Sequence, residues 1–173
     1  MKRLILMRHA KTEPWFQGTD DESRALIARG HTDAALIADV LQDMDWRPDL
    51  TVLSPARRTR ETWTAMQDQF PSADKKIVEA LYLVGTRGLA DIVRDHDFAG
   101  TLMVIGHNPG IHDFACQIVA EAGTASRPAA LTLSQKMPTG AVALFEAQSE
   151  RPFNAEAFRL IDFVRPKTLR PEM

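Results

Sequence analysis

Three short apolar runs in this chain each end on residues suited to hold or attack an anion. Leu4-Ile5-Leu6-Met7 leads into Arg8-His9, and Leu50-Thr51-Val52-Leu53 leads into Ser54-Pro55-Ala56-Arg57-Arg58. Thr101-Leu102-Met103-Val104-Ile105 leads into Gly106-His107. An arginine is a permanent cation with a planar fork of donors, and a histidine near neutral pH serves as nucleophile, acid or donor. Crowded guanidinium groups repel one another unless an anion lies between them. A phosphoryl group carries nearly two negative charges, and each charge-assisted bond to it contributes roughly 1.5–3 kcal/mol. The chemistry these residue types suit is capture and transfer of a phosphorylated, anionic substrate.

Apolar runs of this length are too short to cross a bilayer and read as strands buried on both faces of a sheet. Ligands bind beyond the carboxyl ends of parallel strands, so three neighbouring tips would gather two histidines and at least two arginines on one edge. Helices starting there add unpaired N–H groups and the positive end of their dipoles. Ser54 as cap with Pro55 in the first turn predicts a helix to about Gln69, and Asn108 with Pro109 predicts another. The rest of the pattern predicts a loop over Lys11–Glu22 and a helix from about Arg24 to Asp43, capped by Ser23 or a nearby aspartate, with a break expected at Gly30. An extended segment follows from Ile77-Val78 through Leu83, then a helix from roughly Gly88 to Asp97. Residues 123–138, rich in Ala, Ser, Thr and Pro, read as irregular and placed to cover part of the pocket. Ala141–Phe145 and Ala157–Phe163 read as two late antiparallel strands. Alternating strands and helices indicate an α/β sandwich. Residues 1–164 are expected to form one domain and 165–173 a loose tail.

The 173 residues suffice for one substantial core, with 45% apolar and 25% charged residues. A formal charge of −2 and a pI near 6.2 exclude a broad nucleic-acid surface but leave room for a local basic pocket. The single cysteine, Cys116, excludes an intrachain disulfide, fits a reducing compartment and sits on a helical apolar stripe as a small hydrophobe. The apolar run after Lys2-Arg3 stops at Arg8, short of a signal peptide. These features predict a cytoplasmic protein with no nucleic-acid and no membrane partner.

Leu4 to Thr12, read as Leu-x-Leu-Met-Arg-His-Ala-Lys-Thr, resembles the signature of the histidine phosphatase superfamily, which also contains the phosphoglycerate mutases. Ser54 to Thr62 resembles that family's second motif and Gly106-His107-Asn108-Pro109 its third. The short chain and the Arg-His-Ala variant are similar to the SixA-type phosphohistidine phosphatases. The resemblance implies a three-layer α/β/α sandwich with a mixed, mainly parallel sheet, phosphoglycerate mutase-like. It also implies His9 as nucleophile through a phosphohistidine intermediate, with Arg8, Arg58 and His107 holding the phosphoryl oxygens. Arg57 competes for the Arg58 role, but the spacing from Ser54 and to Thr62 favours Arg58. Such a site requires neither metal nor cofactor, since its cations are side chains.

A neutral His9 needs its second ring nitrogen to donate to an acceptor, most simply a backbone carbonyl. His107 acts best when protonated, a form that a bound phosphoryl group favours. Thr139-Gly140 is expected to approach the pocket from the fifth strand, with Thr139 contacting substrate. Trp15, Phe16 and Gln17 are expected either to contact the leaving portion or to anchor the loop. His112 with Asp113 lacks a convincing metal set, and His31, His96, Arg57 and Arg60 read as surface residues.

A general acid is missing where many family members carry one: Asn108 follows His107, and Leu83 falls where a glutamate would stand. The substitutes on offer are Glu79, Asp113, Glu13, Asp20, Asp21 and Glu22. General acid catalysis contributes roughly 10²–10⁴-fold for poor leaving groups. Its lack therefore points to a labile donor such as phosphohistidine in a signalling protein. Two other readings stay open: a phosphatase for a small phosphorylated metabolite, and a weakly catalytic phosphoryl-binding module.

Overall fold

Six strands form one sheet: β1 (Arg3–Arg8), β2 (Leu50–Leu53), β3 (Asp74–Ile77), β4 (Thr101–Gly106), β5 (Val142–Ala147) and β6 (Phe158–Val164). The computed structural model describes residues 1–149 and 152–170. Strand order is β3-β2-β4-β1-β5-β6, with β1, β2, β3 and β4 parallel and β5 and β6 antiparallel to their neighbours. Register sets the site. Arg8 pairs with Gly106 across β1 and β4, and Leu53 pairs with Ile105 across β2 and β4. His9, Ser54 and His107 therefore emerge together, just beyond the paired ends of three adjacent strands.

Period-two alternation splits the core between the faces of the sheet. Leu4, Leu6, Val52, Leu102, Val104 and Phe145 pack against α3 (Thr86–Asp95), α4 (Gly110–Ala122) and α5 (Arg127–Gln135) through Leu89, Phe114 and Leu133. Ile5, Met7, Leu53, Met103 and Ile105 pack against α1 (Ala28–Asp43) and α2 (Arg57–Thr64) through Ile37, Leu41 and Trp63. Full burial of each such side chain contributes about 1.5–3 kcal/mol, enough to clamp the strand ends that carry the polar residues. The architecture is the expected three-layer α/β/α sandwich. Among the described residues no helix is long and apolar enough to cross a membrane.

Several local expectations are corrected. Helix α1 begins at Ala28, not Arg24, because the preceding residues pair with the first loop. Glu13 N–H donates to the Ala25 carbonyl, Leu26 N–H to Glu61 Oε2 and Ile27 N–H to the Lys11 carbonyl. Gly30 does not break α1; a Cβ there would run into the Lys11 carbonyl, so the glycine permits that close approach. Helix α2 starts at Arg57, after Ser54 and Pro55, and ends at Thr64, with a separate 3-10 turn at Gln67–Gln69.

The strand expected from Ile77 to Leu83 lies earlier, at Asp74–Ile77. It is an exposed edge strand whose Asp-Lys-Lys-Ile sequence lacks alternation, as suits an unpaired edge. The segment expected to be irregular contains α5, whose start is capped by Ser126 Oγ accepting from Ala129 N–H at 3.3 Å. The tail expected to be loose forms a helical turn, α6 (Pro166–Leu169), with Pro166 buried and Arg170 paired to the buried Asp33. Residues 171–173 of that tail, and 150 and 151 between the late strands, lie outside the described residues.

Candidate active site

His9 is 6% exposed at the end of β1. Its Nδ1–H donates to the Ala10 carbonyl at 2.8 Å, which leaves Nε2 with the lone pair. Burial lowers its pKa to about 3, helped by His107, Arg58 and Arg8 and opposed by the Ala10 bond. The imidazole is therefore neutral at physiological pH. The turn after it is held from α2: Thr62 Oγ1 accepts from Ala10 N–H at 3.0 Å and donates to the Arg58 carbonyl at 2.6 Å. From the other side, Gly140 N–H reaches the carbonyls of Arg8 and His9 at 3.1 and 3.0 Å.

His107 lies beside it, ring centroids 5.4 Å apart. Its Nε2 is 2.7 Å from Ser54 Oγ, so Ser54 anchors an imidazole rather than capping α2. Burial lowers the pKa of His107 to about 4, with Arg58 the next cause, so it too is neutral in the free protein. A bound dianion would oppose that shift and favour the imidazolium.

Arg58 is 1% exposed, its guanidinium near the face of Tyr82 at 5.8 Å. Arg57 instead pairs with Glu61 at 2.6 Å and is half exposed, and Arg60 is exposed, so Arg58 alone of the three arginines enters the interior. Arg8 donates through Nη1 to the Met137 carbonyl at 3.1 Å, and Asn108 Nδ2 donates to the same carbonyl at 2.9 Å rather than capping α4. Burial lowers the Arg8 pKa, and the nearby Arg24 and Arg58 lower it further. Arg8 Nε, Arg58 Nε, His107 Nδ1 and Asn108 Oδ1 are all buried without a hydrogen-bond partner. A buried unpaired polar group costs about 1–3 kcal/mol, so three cationic or imidazole nitrogens left this way form a cradle suited to an anion.

The opening beside His9 has a volume of about 410 Å³ and is lined by Arg8, Thr12, Arg24 and Thr139 among others. Thr139, from the segment before β5, lies at this opening. Arg58 and His107 are buried and do not line this opening.

Of the six acids considered, Asp21 is the one beside the cradle. It accepts from Arg58 Nη2 at 2.9 Å, Arg24 Nε at 2.9 Å and the Tyr82 hydroxyl at 2.7 Å. Burial alone would raise its pKa, but Tyr82, Arg58 and Arg24 together hold it below the ordinary value. Burial and Asp21 raise the Tyr82 pKa, keeping it a phenol, and its ring meets His107 edge-on at 5.4 Å. Glu13 accepts from Ala25 N–H at 3.0 Å, and Glu79, Asp113, Asp20 and Glu22 are exposed. Tyr82 and Arg24 carry no motif signal in the sequence, whereas Ser54 stands in a motif whose cap-like form conceals its contact with His107.

Trp15 and Phe16 are exposed on the first loop, where the Phe16 carbonyl accepts from the Thr19 hydroxyl at 2.6 Å. His96, expected at the surface, is buried, with Nδ1–H donating to the Ile92 carbonyl at 2.7 Å. His112 Nε2 bonds the Leu133 carbonyl at 2.7 Å, a structural contact. Among the described residues no group of three or more His, Cys, Asp or Glu side chains is arranged to hold a metal.

The sequence profile of the histidine phosphatase superfamily (branch 1) matches residues 4–82. An uncharacterized chloroplastic protein of Arabidopsis thaliana is 32% identical over 128 residues, covering 68% of this chain and 59% of its own length. The chain thus spans less than two thirds of that relative. An uncharacterized protein of Mycobacterium tuberculosis is 31% identical over 140 residues, covering 80% of this chain and 85% of its own. Two solved structures carrying the name SixA are similar throughout. That from Agrobacterium tumefaciens has a TM-score of 0.79 at 28% identity, covering 95% of this chain and 98% of its own. That from Nakamurella multipartitia has a TM-score of 0.82 at 26% identity, covering 95% and 96%. With its motifs brought to one sheet edge and this fold around them, the chain belongs to the histidine phosphatase superfamily, branch 1, with a SixA-like architecture.

Proposed function

We propose that the protein is a phosphatase whose nucleophile is His9 and whose substrate is phosphohistidine on a protein. The observation that supports this most is the pairing of a neutral His9, oriented by Ala10, with the unpaired buried nitrogens of Arg8, Arg58 and His107. His9 Nε2 attacks phosphorus, the bond to the leaving nitrogen breaks, and that imidazole departs with the proton it carries. Water then attacks the phosphohistidine, giving inorganic phosphate and restoring neutral His9. Arg8, Arg58 and a His107 protonated alongside the bound anion hold the phosphoryl oxygens, and their bonds strengthen as charge develops in the transition state. Thr139 contacts the substrate from the rim.

The state of Asp21 favours a labile donor. It is the carboxylate nearest the cradle and is held ionised by Tyr82, Arg58 and Arg24, so it is poorly suited to protonate an alkoxide. A protonated imidazole needs no such help. The reading places the enzyme in the cytoplasm, acting on a signalling protein. Rates for a phosphohistidine peptide, an aryl phosphate and a set of sugar phosphates test it: the peptide should exceed the sugars by at least about 100-fold. A preference for sugar phosphates would refute the substrate assignment while leaving His9 in question.

A further inference from the structure

A second concavity of about 290 Å³ adjoins the catalytic opening and shares Lys11 and Thr139 with it. Its wall is drawn from α1, from the segment before β5 and from the C-terminal turn α6. Six basic residues line it, Lys11, Arg29, Lys136, Arg165, Lys167 and Arg170, against one carboxylate, Asp33. Asp33 is 3% exposed and is shared by Arg29 at 3.8 Å and Arg170 at 3.1 Å. Lys11, Lys136, Arg165 and Lys167 enter none of the ion pairs among the described residues. Such a concentration of cations stands out in a chain of net charge −2.

This concavity is tied directly to the catalytic turn. Gly140, whose N–H reaches the carbonyls of Arg8 and His9, adopts φ +77° and packs so closely on Pro166 of α6 that a Cβ would lie 2.9 Å from its ring. Two basic openings therefore sit side by side on one wall, one ending at His9 and the other backed by α6.

We propose that the second concavity docks carboxylate side chains flanking the phosphorylated residue of a protein substrate; this rests on the phosphohistidine reading above. Lys11, Arg29, Lys136 and Lys167 are exposed and come from separate segments. Flexible, hydrated ammonium groups suit a loose acidic surface better than the fixed fork needed to select one small anion. Trp15 and Phe16 follow Glu13 and Pro14 of the catalytic opening and stay 54% and 63% exposed, which suits the face of a macromolecule. Charges at a rim of this kind govern encounter and KM rather than the chemical step.

The test is the double variant Lys136→Glu, Lys167→Glu, which leaves the catalytic cradle untouched. Matched phosphohistidine peptides with acidic or neutral flanks, free phosphohistidine and a fluorescein-labelled, unphosphorylated Glu-rich peptide are the probes. The wild type should favour the acidic-flanked peptide, and the variant should raise its KM by about tenfold with kcat unchanged. Free phosphohistidine should be unaffected, and wild-type KM for the acidic peptide should rise with salt. Equal KM for both flanks, with no binding of the labelled peptide, would overturn the docking inference and leave the phosphohistidine reading standing. Binding of the labelled peptide through Lys136 and Lys167, with no phosphohistidine hydrolysed, would do the reverse. A labelled single-stranded oligonucleotide that binds through these lysines where the acidic peptide does not would assign the surface to nucleic acid and overturn the inference.

Discussion

Asp21 engages both terminal nitrogens of Arg58: its carbonyl accepts from Nη1 at 2.6 Å and its carboxylate from Nη2 at 2.9 Å. The guanidinium is almost fully buried, whereas the carboxylate is about one third exposed on the first loop. A substrate oxyanion must therefore share Arg58 with a carboxylate already in place. Asp21→Ala should bind inorganic phosphate about five- to tenfold more tightly, as a competing ion pair with a partly exposed carboxylate is worth on the order of 1 kcal/mol. Without anion the variant should melt lower, because Arg58 is left buried and less compensated, and phosphate should restore it by mass action. Phosphate inhibition together with thermal melts checks both. Unchanged phosphate affinity would show that Asp21 and substrate do not compete.

Thr62 couples α2 to the nucleophile. Thr62→Val keeps the shape but leaves Ala10 N–H buried and unpaired, at a cost of about 1–3 kcal/mol. The melting temperature should fall, and kcat should fall further than KM rises, because the turn bearing His9 loses its support. A variant that melts lower yet keeps wild-type kcat would restrict Thr62 to a structural role.

Stability should depend on pH in a definite direction. His9 and His107 titrate near 3 and 4 when folded but near 6.5 when unfolded. Between those values the unfolded chain binds more protons, so stability rises with pH through that window and these two groups add nothing further above it. Denaturant melts from pH 7 to pH 4.5 should show the loss, and His9→Gln should lose less than the wild type. An equal decline in both would place the pH dependence in other groups.

Ser54→Ala removes the partner of His107 Nε2. A phosphate mimic such as vanadate, which resembles the transition state, should bind roughly tenfold more weakly, in line with a hydrogen bond to a charged group at about 1.5–3 kcal/mol. Binding followed by histidine NMR should also show His107 becoming protonated when vanadate enters the wild type. Vanadate binding that leaves His107 neutral would contradict its role as a cation toward the anion.

What was legible in the sequence was what apolar runs and motif spacing encode. β1, β2 and β4 are continuous buried runs, and their tips carry Arg8, His9, Arg58 and His107 to one edge as expected. β3 leaves no signal in the sequence, because an exposed edge strand of Asp-Lys-Lys-Ile has no hydrophobic periodicity. Ala25, Leu26 and Ile27 fit the helical stripe of α1, yet hydrogen bonds to Lys11, Glu13 and Glu61 decide their conformation and the helix starts after them. Ser54 has the chemistry of a cap, and only tertiary structure reveals that His107 claims it. Tyr82 and Arg24 reach the site through Asp21; Arg24 is its neighbour on the first loop, whereas Tyr82 arrives from a distant segment, a convergence that no local pattern announces.

The central claim is that His9 carries the phosphoryl group. The most direct measurement is rapid mixing with ³²P-labelled phosphohistidine peptide, an alkaline quench and mapping of the labelled protein fragment, for wild type and His9→Ala. The account predicts transient label on His9 in the wild type, with neither label nor turnover in the variant. Sustained turnover by His9→Ala, or label mapped to any other residue, would contradict it.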